Sequence, residues 1–153
     1  MNNSKVVKSI FILLALLMTL SSTVYADLHP NIETENIWVV LPPEVARSTA
    51  AYGIIKNSGA APDTLLNIRS DAGTVMLHKT DIDSGMAQMI HMPNMIIEAG
   101  EQLVLKPMSF HLMFSDLCPI IFIEGGSIAI FLEFEKSGLI EVEVPIRSAW
   151  ENY

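Results

Sequence analysis

Apolar and polar residues alternate most regularly in the last part of the chain. The apolar positions there are Ile128, Ile130, Leu132 and Phe134, and then Ile140, Val142, Val144 and Ile146. Side chains of a strand point alternately to its two faces, and a short Gly-containing connection, Lys136-Ser137-Gly138, separates the two runs. The pattern predicts a hairpin of Ser127–Glu135 with Leu139–Arg147. We expect its apolar side to be buried and Glu141 and Glu143 to face solvent.

Shorter runs of the same kind precede this hairpin, and residues typical of turns separate them. They are residues Ile37–Val40, Ala50–Lys56, Leu65–Ile68, Thr74–His78, Gln88–Met92, Gln102–Leu105 and His111–Phe114. No stretch after residue 26 keeps a helical period for three turns. Several short strands at this spacing predict an all-β chain, folded as an antiparallel β-sandwich or Greek-key barrel.

The first 26 residues differ from the rest and are typical of a secretory signal peptide. Lys5 and Lys8 precede an apolar run from Ile10 to Leu20, and Val24-Tyr25-Ala26 forms a cleavage signal. The run is shorter than the roughly 20 residues that span a bilayer, so an uncleaved membrane anchor is the weaker interpretation. No cysteine lies near the cleavage point, so a lipid anchor is not indicated either. We expect one domain, residues 27–153, working outside the cytoplasm.

Charge and cysteine content exclude several classes of function. The formal net charge is −8, and it becomes −10 when the two lysines of the leader are removed. An acidic chain without a basic cluster does not suit nucleic acid or a polybasic membrane site. The single cysteine, Cys118, cannot form an internal disulfide or a CxxC motif. Nor does any catalytic triad or phosphate-binding loop stand out, so we do not expect an enzyme.

The candidate chemistry lies in a cluster of histidine and methionine. Three of the four histidines, and most of the methionines that follow the leader, fall between His78 and Met113. In the fragment His111-Leu112-Met113, residues i and i+2 of a strand point to the same side. His111 and Met113 can therefore share a metal ion while Leu112 packs inward. Thioether and imidazole donors favour soft Cu(I), whereas carboxylates would favour Mg²⁺ or Ca²⁺.

The spacing of these residues resembles a known metal-binding signature. His78, ten residues, Met89, 21 residues, His111, one residue and Met113 reproduce the HX10MX21HXM motif of the periplasmic PCuAC-type copper(I) chaperones. Ala50-Ala51-Tyr52, Glu98-Ala99-Gly100 and the segment from Phe134 to Gly138 are also similar to that family. The resemblance covers about residues 32–147. It implies a cupredoxin-like β-sandwich that binds one Cu(I) per chain through His78, Met89, His111 and Met113.

The same resemblance implies a function and a partner. PCuAC-type proteins deliver copper for assembly of the dinuclear copper centre of a haem-copper (cytochrome c) oxidase. The implied partner is therefore a copper-accepting oxidase subunit, reached directly or through a Sco-type thioredoxin-fold protein. Four neutral ligands leave the copper charge uncompensated, and such a site can release the ion to a thiolate-bearing acceptor.

Three alternatives remain open at this stage. His91 lies two residues after Met89 and could compete as a ligand. Four further methionines could form a soft rim around the site: Met86, Met92, Met95 and Met108. A blue-copper electron carrier would use Cys118, but no histidine follows that cysteine, and we expect it to be buried without touching metal. A secreted β-sandwich that binds a protein or glycan, with methionine as core filler, needs no metal at all.

Overall fold

The computed structural model describes residues 28–83 and 85–149, and every regular element in them is a strand. There are ten strands in these ranges: β1 Ile32–Val40, β2 Ser48–Asn57, β3 Asp63–Arg69, β4 Thr74–Asp83, β5 Met86–His91, β6 Met95–Ile97, β7 Gln102–Leu105, β8 Phe110–Ser115, β9 Ser127–Phe134 and β10 Gly138–Arg147. The all-β prediction is confirmed. The proposed signal peptide, residues 1–26, lies outside the described residues, and no helix within them is long and apolar enough to span a membrane.

The strands form one curled sheet in the order β5-β4-β8-β7-β2-β1-β10-β9-β3-β6. Most neighbours are antiparallel, but β7 and β8 pair in parallel at Leu105 and Phe110, and β1 and β10 pair in parallel and join the two halves of the molecule. Side chains from the inner faces of both halves form one core, in which Val39, Leu112, Phe114, Leu132 and Val144 are fully buried. This is the cupredoxin-like β-sandwich or barrel that the resemblance implies.

The predicted hairpin is β9 with β10, and its register is unbroken from Gly138 opposite Phe134 to Pro145 opposite Ser127. Four of its predicted core residues are buried: Ile130, Leu132, Phe134 and Val144. Glu141 and Glu143 are exposed, as expected. Val142 lies on the predicted side and packs against the core, but it is half-buried rather than fully buried. The reason is that β10 meets β1 only at Ile146 and Arg147, so no strand covers its earlier residues on that side.

A local irregularity explains why β1 is longer than the sequence pattern predicts. Strand β1 begins at Ile32 rather than Ile37, and its register with β2 shifts between Glu35 and Trp38. Asn36 has a positive φ of 49° at this bulge, and it breaks the alternation that marks a strand. Gly53 accommodates the bulge, since a Cβ there would lie 2.6 Å from the Ile37 Cα. The short strand β6 is absent from the prediction.

Strands β4 and β8 place the histidine and methionine cluster on the outside of the sheet. Leu77 and Leu112 are opposite each other in the register and point into the core, where both are buried. The residues next to them in sequence, including His78 and His111, therefore lie on the outer face. The inward position of Leu112 is as the sequence predicts.

Candidate metal centre

Three histidines lie in a row across the outer face of strands β5, β4 and β8. His78 on β4 pairs with His91 on β5 and with His111 on β8. The ring centroids are 5.5 Å apart for His78 and His91, and 6.1 Å apart for His78 and His111. Exposure decreases along the row, from the exposed His91 through the half-buried His78 to His111, which is 6% exposed. Two of the predicted ligands, His78 and His111, are therefore direct neighbours.

His111 is held in one orientation by the backbone. Its Nδ1 lies 3.0 Å from the carbonyl oxygen of Ser109, which can only accept a hydrogen bond. Nδ1 therefore carries the proton, and Nε2 keeps a lone pair. A histidine that donates its other ring nitrogen to a carbonyl is the usual arrangement at protein metal sites, because it fixes the tautomer and ring orientation.

His78 has an unsatisfied buried nitrogen. Its Nδ1 makes no hydrogen bond among the described residues. Leaving a buried polar group without a partner costs about 1–3 kcal/mol, and metal coordination would remove that cost. Burial, together with the charges that His91 and His111 can carry, holds the pKa of His78 below its ordinary value. Hydrogen bonding to the Met76 backbone acts in the opposite direction and raises the pKa, but it is the smaller effect. The ring is therefore neutral near pH 7, which is the form that binds metal.

Met113 and Met76 form the next pair along the same two strands. They are opposite each other in the register of β8 and β4, two residues from His111 and His78 respectively. Met113 is half-buried, and Met76 is 42% exposed. Met76 therefore adds a thioether beside the predicted set, at a position that the motif does not contain.

Met89 reaches the same region from the edge strand β5. It pairs with Thr80 and is 63% exposed. Together with Thr80, Pro107, Met108, His111 and Met113, it lines an open cavity of about 350 Å³ on the outer face. We call this cavity the methionine depression. Three of the four predicted ligands line it, whereas the fourth, His78, lies beside it through its ring contact with His111.

The four methionines proposed as a soft rim divide into two groups. Met92 and Met95 are half-buried and pack against the hydrophobic core, so the rim interpretation is wrong for them. Met86 and Met108 are exposed at 66% and 63%, and of these two only Met108 lines the methionine depression. Composition alone could not separate the groups, because the division depends on which strand partner covers each residue.

His91 and Cys118 occupy different positions relative to the depression. His91 shares the outer face with Met89, as predicted, and its ring contacts that of His78. Cys118 lies in the loop between β8 and β9, where its N–H donates to the carbonyl of Ala72. It is half-buried rather than fully buried, and it does not line the methionine depression. Among residues 28–83 and 85–149, no three His, Cys, Asp or Glu side chains converge to hold a metal ion by themselves.

A second, larger cavity of about 790 Å³ lies between the edges of β3 and β4. Met76, His91 and Met92 lie at one side of it, and the rest of its lining mixes aliphatic residues with polar ones such as Asn67 and Arg69. Strand β6 pairs only with Asp63–Leu65 of β3, and β5 pairs only with His78–Asp83 of β4. The cavity lies where both edge strands stop short, and none of the four predicted ligands lines it.

Comparison with known families agrees with this architecture. A family described as "Putative lipoprotein LpqE-like" matches residues 32–146, which is most of the chain. The chain belongs to this LpqE-like family. The search of curated proteins gives no match.

Solved structures of PCuAC domains have the same fold. The solution structure of CuI-DR1885 from Deinococcus radiodurans is 25% identical, with a TM-score of 0.64, and the match covers 85% of this chain and 87% of that one. The copper-bound PCuAC domain from PmoF2 is 19% identical, with a TM-score of 0.64, over 78% of this chain and 98% of that domain. The resemblance to the PCuAC family is thus confirmed.

Proposed function

We propose that this protein is a copper(I) carrier, with one Cu(I) held by His78, Met89, His111 and Met113. The observation that carries the proposal is His111, a nearly buried imidazole held by the Ser109 carbonyl at a cavity that Met89 and Met113 also line. His78 beside it, whose buried Nδ1 has no hydrogen-bond partner among the described residues, supports the same function. Relatives with this fold have been solved as CuI-DR1885 and as a copper-bound PCuAC domain.

The donor set explains why Cu(I) suits the site better than harder ions. Imidazole and thioether are neutral donors, and thioether in particular is soft, so the set selects Cu(I) over Mg²⁺ or Ca²⁺. Neutral ligands also leave the single positive charge of the ion in place. An acceptor that offers a thiolate then binds it more strongly, which suits a protein that must give up its metal.

The first experiment measures copper stoichiometry. We expect the chain from Asp27 onward to bind one equivalent of Cu(I) under reducing conditions, and His111→Ala or Met113→Leu to weaken binding strongly. Met92→Leu is the matched control, because Met92 packs against the core. Wild-type protein that retains no Cu(I), or a His111→Ala variant as tight as wild type, would contradict the proposal.

His91 decides whether the ligand set is complete. We expect His91→Ala to weaken Cu(I) binding less than His78→Ala, because His91 is exposed at the outer end of the histidine row, whereas His78 is half-buried and its ring contacts that of His111. An equal loss in both variants means that His91 replaces one of the proposed ligands.

The delivery step and the place of action are the finer part of the proposal. We propose that the protein acts in the periplasm after cleavage before Asp27. It gives its copper to the dinuclear copper centre of a haem-copper oxidase, directly or through a Sco-type protein. The test mixes the Cu(I) protein with a copper-free oxidase subunit domain and follows the absorption of the assembled centre. Transfer no faster than from free Cu(I) would contradict delivery.

The bound copper should be colourless and remain so after mild oxidation, since no thiolate belongs to the proposed set. Cys118→Ser should leave the Cu(I) stoichiometry unchanged. A strong blue absorption band in the wild type that disappears in this variant would favour an electron carrier instead.

A further inference from the structure

The segment Lys106–Ser109 interrupts what would otherwise be one continuous strand. β7 and β8 run one after the other along the same partner, β2, with Leu105 opposite Gly53 and Leu112 opposite Ala51. Only Tyr52 lies between these two partners, so the intervening residues of the other strand loop outward. Lys106 N–H donates to Phe110 O at 2.7 Å, and Ser109 N–H donates to Lys106 O at 3.2 Å, which closes the loop.

Met108 at the tip of this loop has an unusual backbone conformation. Its φ is +59°, in the left-handed region. The other described non-glycine residues with positive φ are Asn36, Asn94 and Asp116. Asn and Asp tolerate this region because their short polar side chains bond locally, whereas methionine gains nothing there. Strain of this kind persists only where the surrounding structure imposes it, and it is concentrated at functional sites.

The strained loop brings a fifth soft donor to the proposed copper site. Met108 is 63% exposed and lines the methionine depression together with Met89, His111 and Met113. Met89, which is also 63% exposed, comes from the edge strand β5, whereas Met108 comes from the loop before β8. His111 and Met113, the less exposed donors, thus share the cavity with the thioethers of Met89 and Met108. These two thioethers are similarly exposed and come from separate elements.

We infer that Met89 and Met108 are interchangeable ligands of the copper ion, an inference that rests on the proposed function. In the exchange, the bond from Cu(I) to the Met108 sulfur forms as the bond to the Met89 sulfur breaks. Both ligands are neutral thioethers, so the ion stays Cu(I) and no proton or electron moves. His78, His111 and Met113 hold the ion throughout, and the exposed position that Met89 and Met108 share is the one that an incoming ligand of the acceptor can take.

The experiment compares four variants in competition with a colorimetric Cu(I) chelator such as bicinchoninate. They are Met89→Leu, Met108→Leu, the double variant Met89→Leu/Met108→Leu and the control Met86→Leu. Met86 is a matched control because it lies on the same strand as Met89, is 66% exposed and does not line the depression. We expect each single variant at 89 or 108 to lose little affinity. The double variant should fall at least about tenfold below the product of the two single effects.

The number of sulfur ligands, measured by X-ray absorption, gives a second readout. We expect two sulfurs in the wild type and in each single variant, and one in the double variant. If Met89→Leu alone binds as weakly as the double variant, Met108 is no ligand, and if the two effects simply multiply, the two thioethers are not interchangeable. Either result overturns the inference while the carrier function stands. Wild-type protein that binds no Cu(I) overturns the proposed function itself, so the two failures are distinguishable.

Discussion

The β9–β10 hairpin and the β4–β5 hairpin are both antiparallel pairs, but their side chains have opposite surroundings. In β9 every second residue is buried, from Ile128 to Phe134. In β5 all six residues, Met86–His91, are exposed. β9 lies between β10 and β3 and has one face against the core, whereas β5 is an edge strand that pairs only with β4.

This difference in burial separates the part of the fold that contributes stability from the part that exposes candidate metal ligands. Burial of the β9 side chains contributes about 25 cal/mol per Å² of apolar surface, so that hairpin belongs to the stable core. The methionines of β5 give up that contribution and remain in contact with solvent. Apolar side chains exposed together in this way mark binding surfaces, and one of the two β5 methionines, Met89, lines the methionine depression.

The largest expected effect comes from placing a charge in the β9–β10 hairpin. Leu132→Asp buries an unpaired carboxylate at a position with no solvent exposure, and should cost about 4 kcal/mol or more, enough to unfold most of the protein. Ile90→Asp on β5 is the matched change at a 42% exposed position and should stay folded. Circular dichroism and urea unfolding compare the two. A folded Leu132→Asp variant would remove the contrast between the hairpins.

Asp63 supports the β9–β10 turn from β3. Its buried carboxylate accepts hydrogen bonds from the N–H groups of Thr64, Lys136 and Ser137, at 2.8 to 2.9 Å. Asp63→Ala leaves these donors without their acceptor and should cost about 3 kcal/mol. Urea unfolding checks this loss, and Asp81→Ala, an exposed carboxylate on β4, is the control.

The same carboxylate makes stability depend on pH. Burial raises the pKa of Asp63, but hydrogen bonds from the Ser137 side chain and from the N–H groups of Lys136, Ser137 and Thr64 together lower it below 3.8. The ionised form therefore stabilises the fold. This contribution is present above the unfolded-state pKa and is lost as pH falls through the folded-state pKa. Below about pH 4 the wild type should lose stability more steeply than Asp63→Asn, and parallel curves would contradict this role.

Copper should stabilise the two hairpins unequally. At free Cu(I) 100 times above Kd, binding adds about 2.7 kcal/mol to the free energy of unfolding. Local opening of β4, β5 and the start of β8 should be suppressed most, because the proposed ligands lie there. Hydrogen exchange of the apo and Cu(I) forms measures this, and the β9–β10 amides serve as the internal reference. Equal protection in both hairpins would mean that copper acts on global unfolding alone.

The smallest effect concerns the strained loop. Met108→Gly relieves the positive φ, although glycine also adds freedom to the unfolded chain. Relative to Met108→Leu, which keeps the strain, we expect Met108→Gly to be more stable by about 1 kcal/mol. Thermal unfolding of the copper-free proteins measures the difference. A Gly variant no more stable than the Leu variant would show that the loop imposes no strain.

Sequence reasoning works best where one rule acts alone. Strand β7 occurs at the predicted residues Gln102–Leu105, and the inward position of Leu112 follows from simple alternation. The full burial predicted for Val142 is not observed, because its burial depends on how far a distant strand, β1, extends beside it. The Asn36 bulge and the short strand β6 could not be predicted for a similar reason, since partners far away in sequence hold them in place.

The candidate site shows the same limit. The pair His111 and Met113 could be predicted from a two-residue spacing on one strand. The row of His91, His78 and His111 could not, because it depends on the register of β5, β4 and β8. The Ser109 carbonyl could not be predicted either, and Met108 could be named only as one of four possible rim residues, because the loop that places them has no pattern of its own. Only its Pro107-Met108-Ser109 sequence, between two apolar runs, gave a signal of irregular backbone.

The parallel contact between β1 and β10 has a kinetic consequence. Val39 pairs with Ile146, so the first and last strands of the described chain meet only after almost all the sequence between them has been made. Contacts this distant in sequence are slow to form, because loop closure must be completed before they add any stability. During synthesis the two halves of the sheet therefore stay unjoined until β10 is available. The protein reaches its native state as a whole chain, and a chain that ends before Pro145 lacks the pair that closes the barrel.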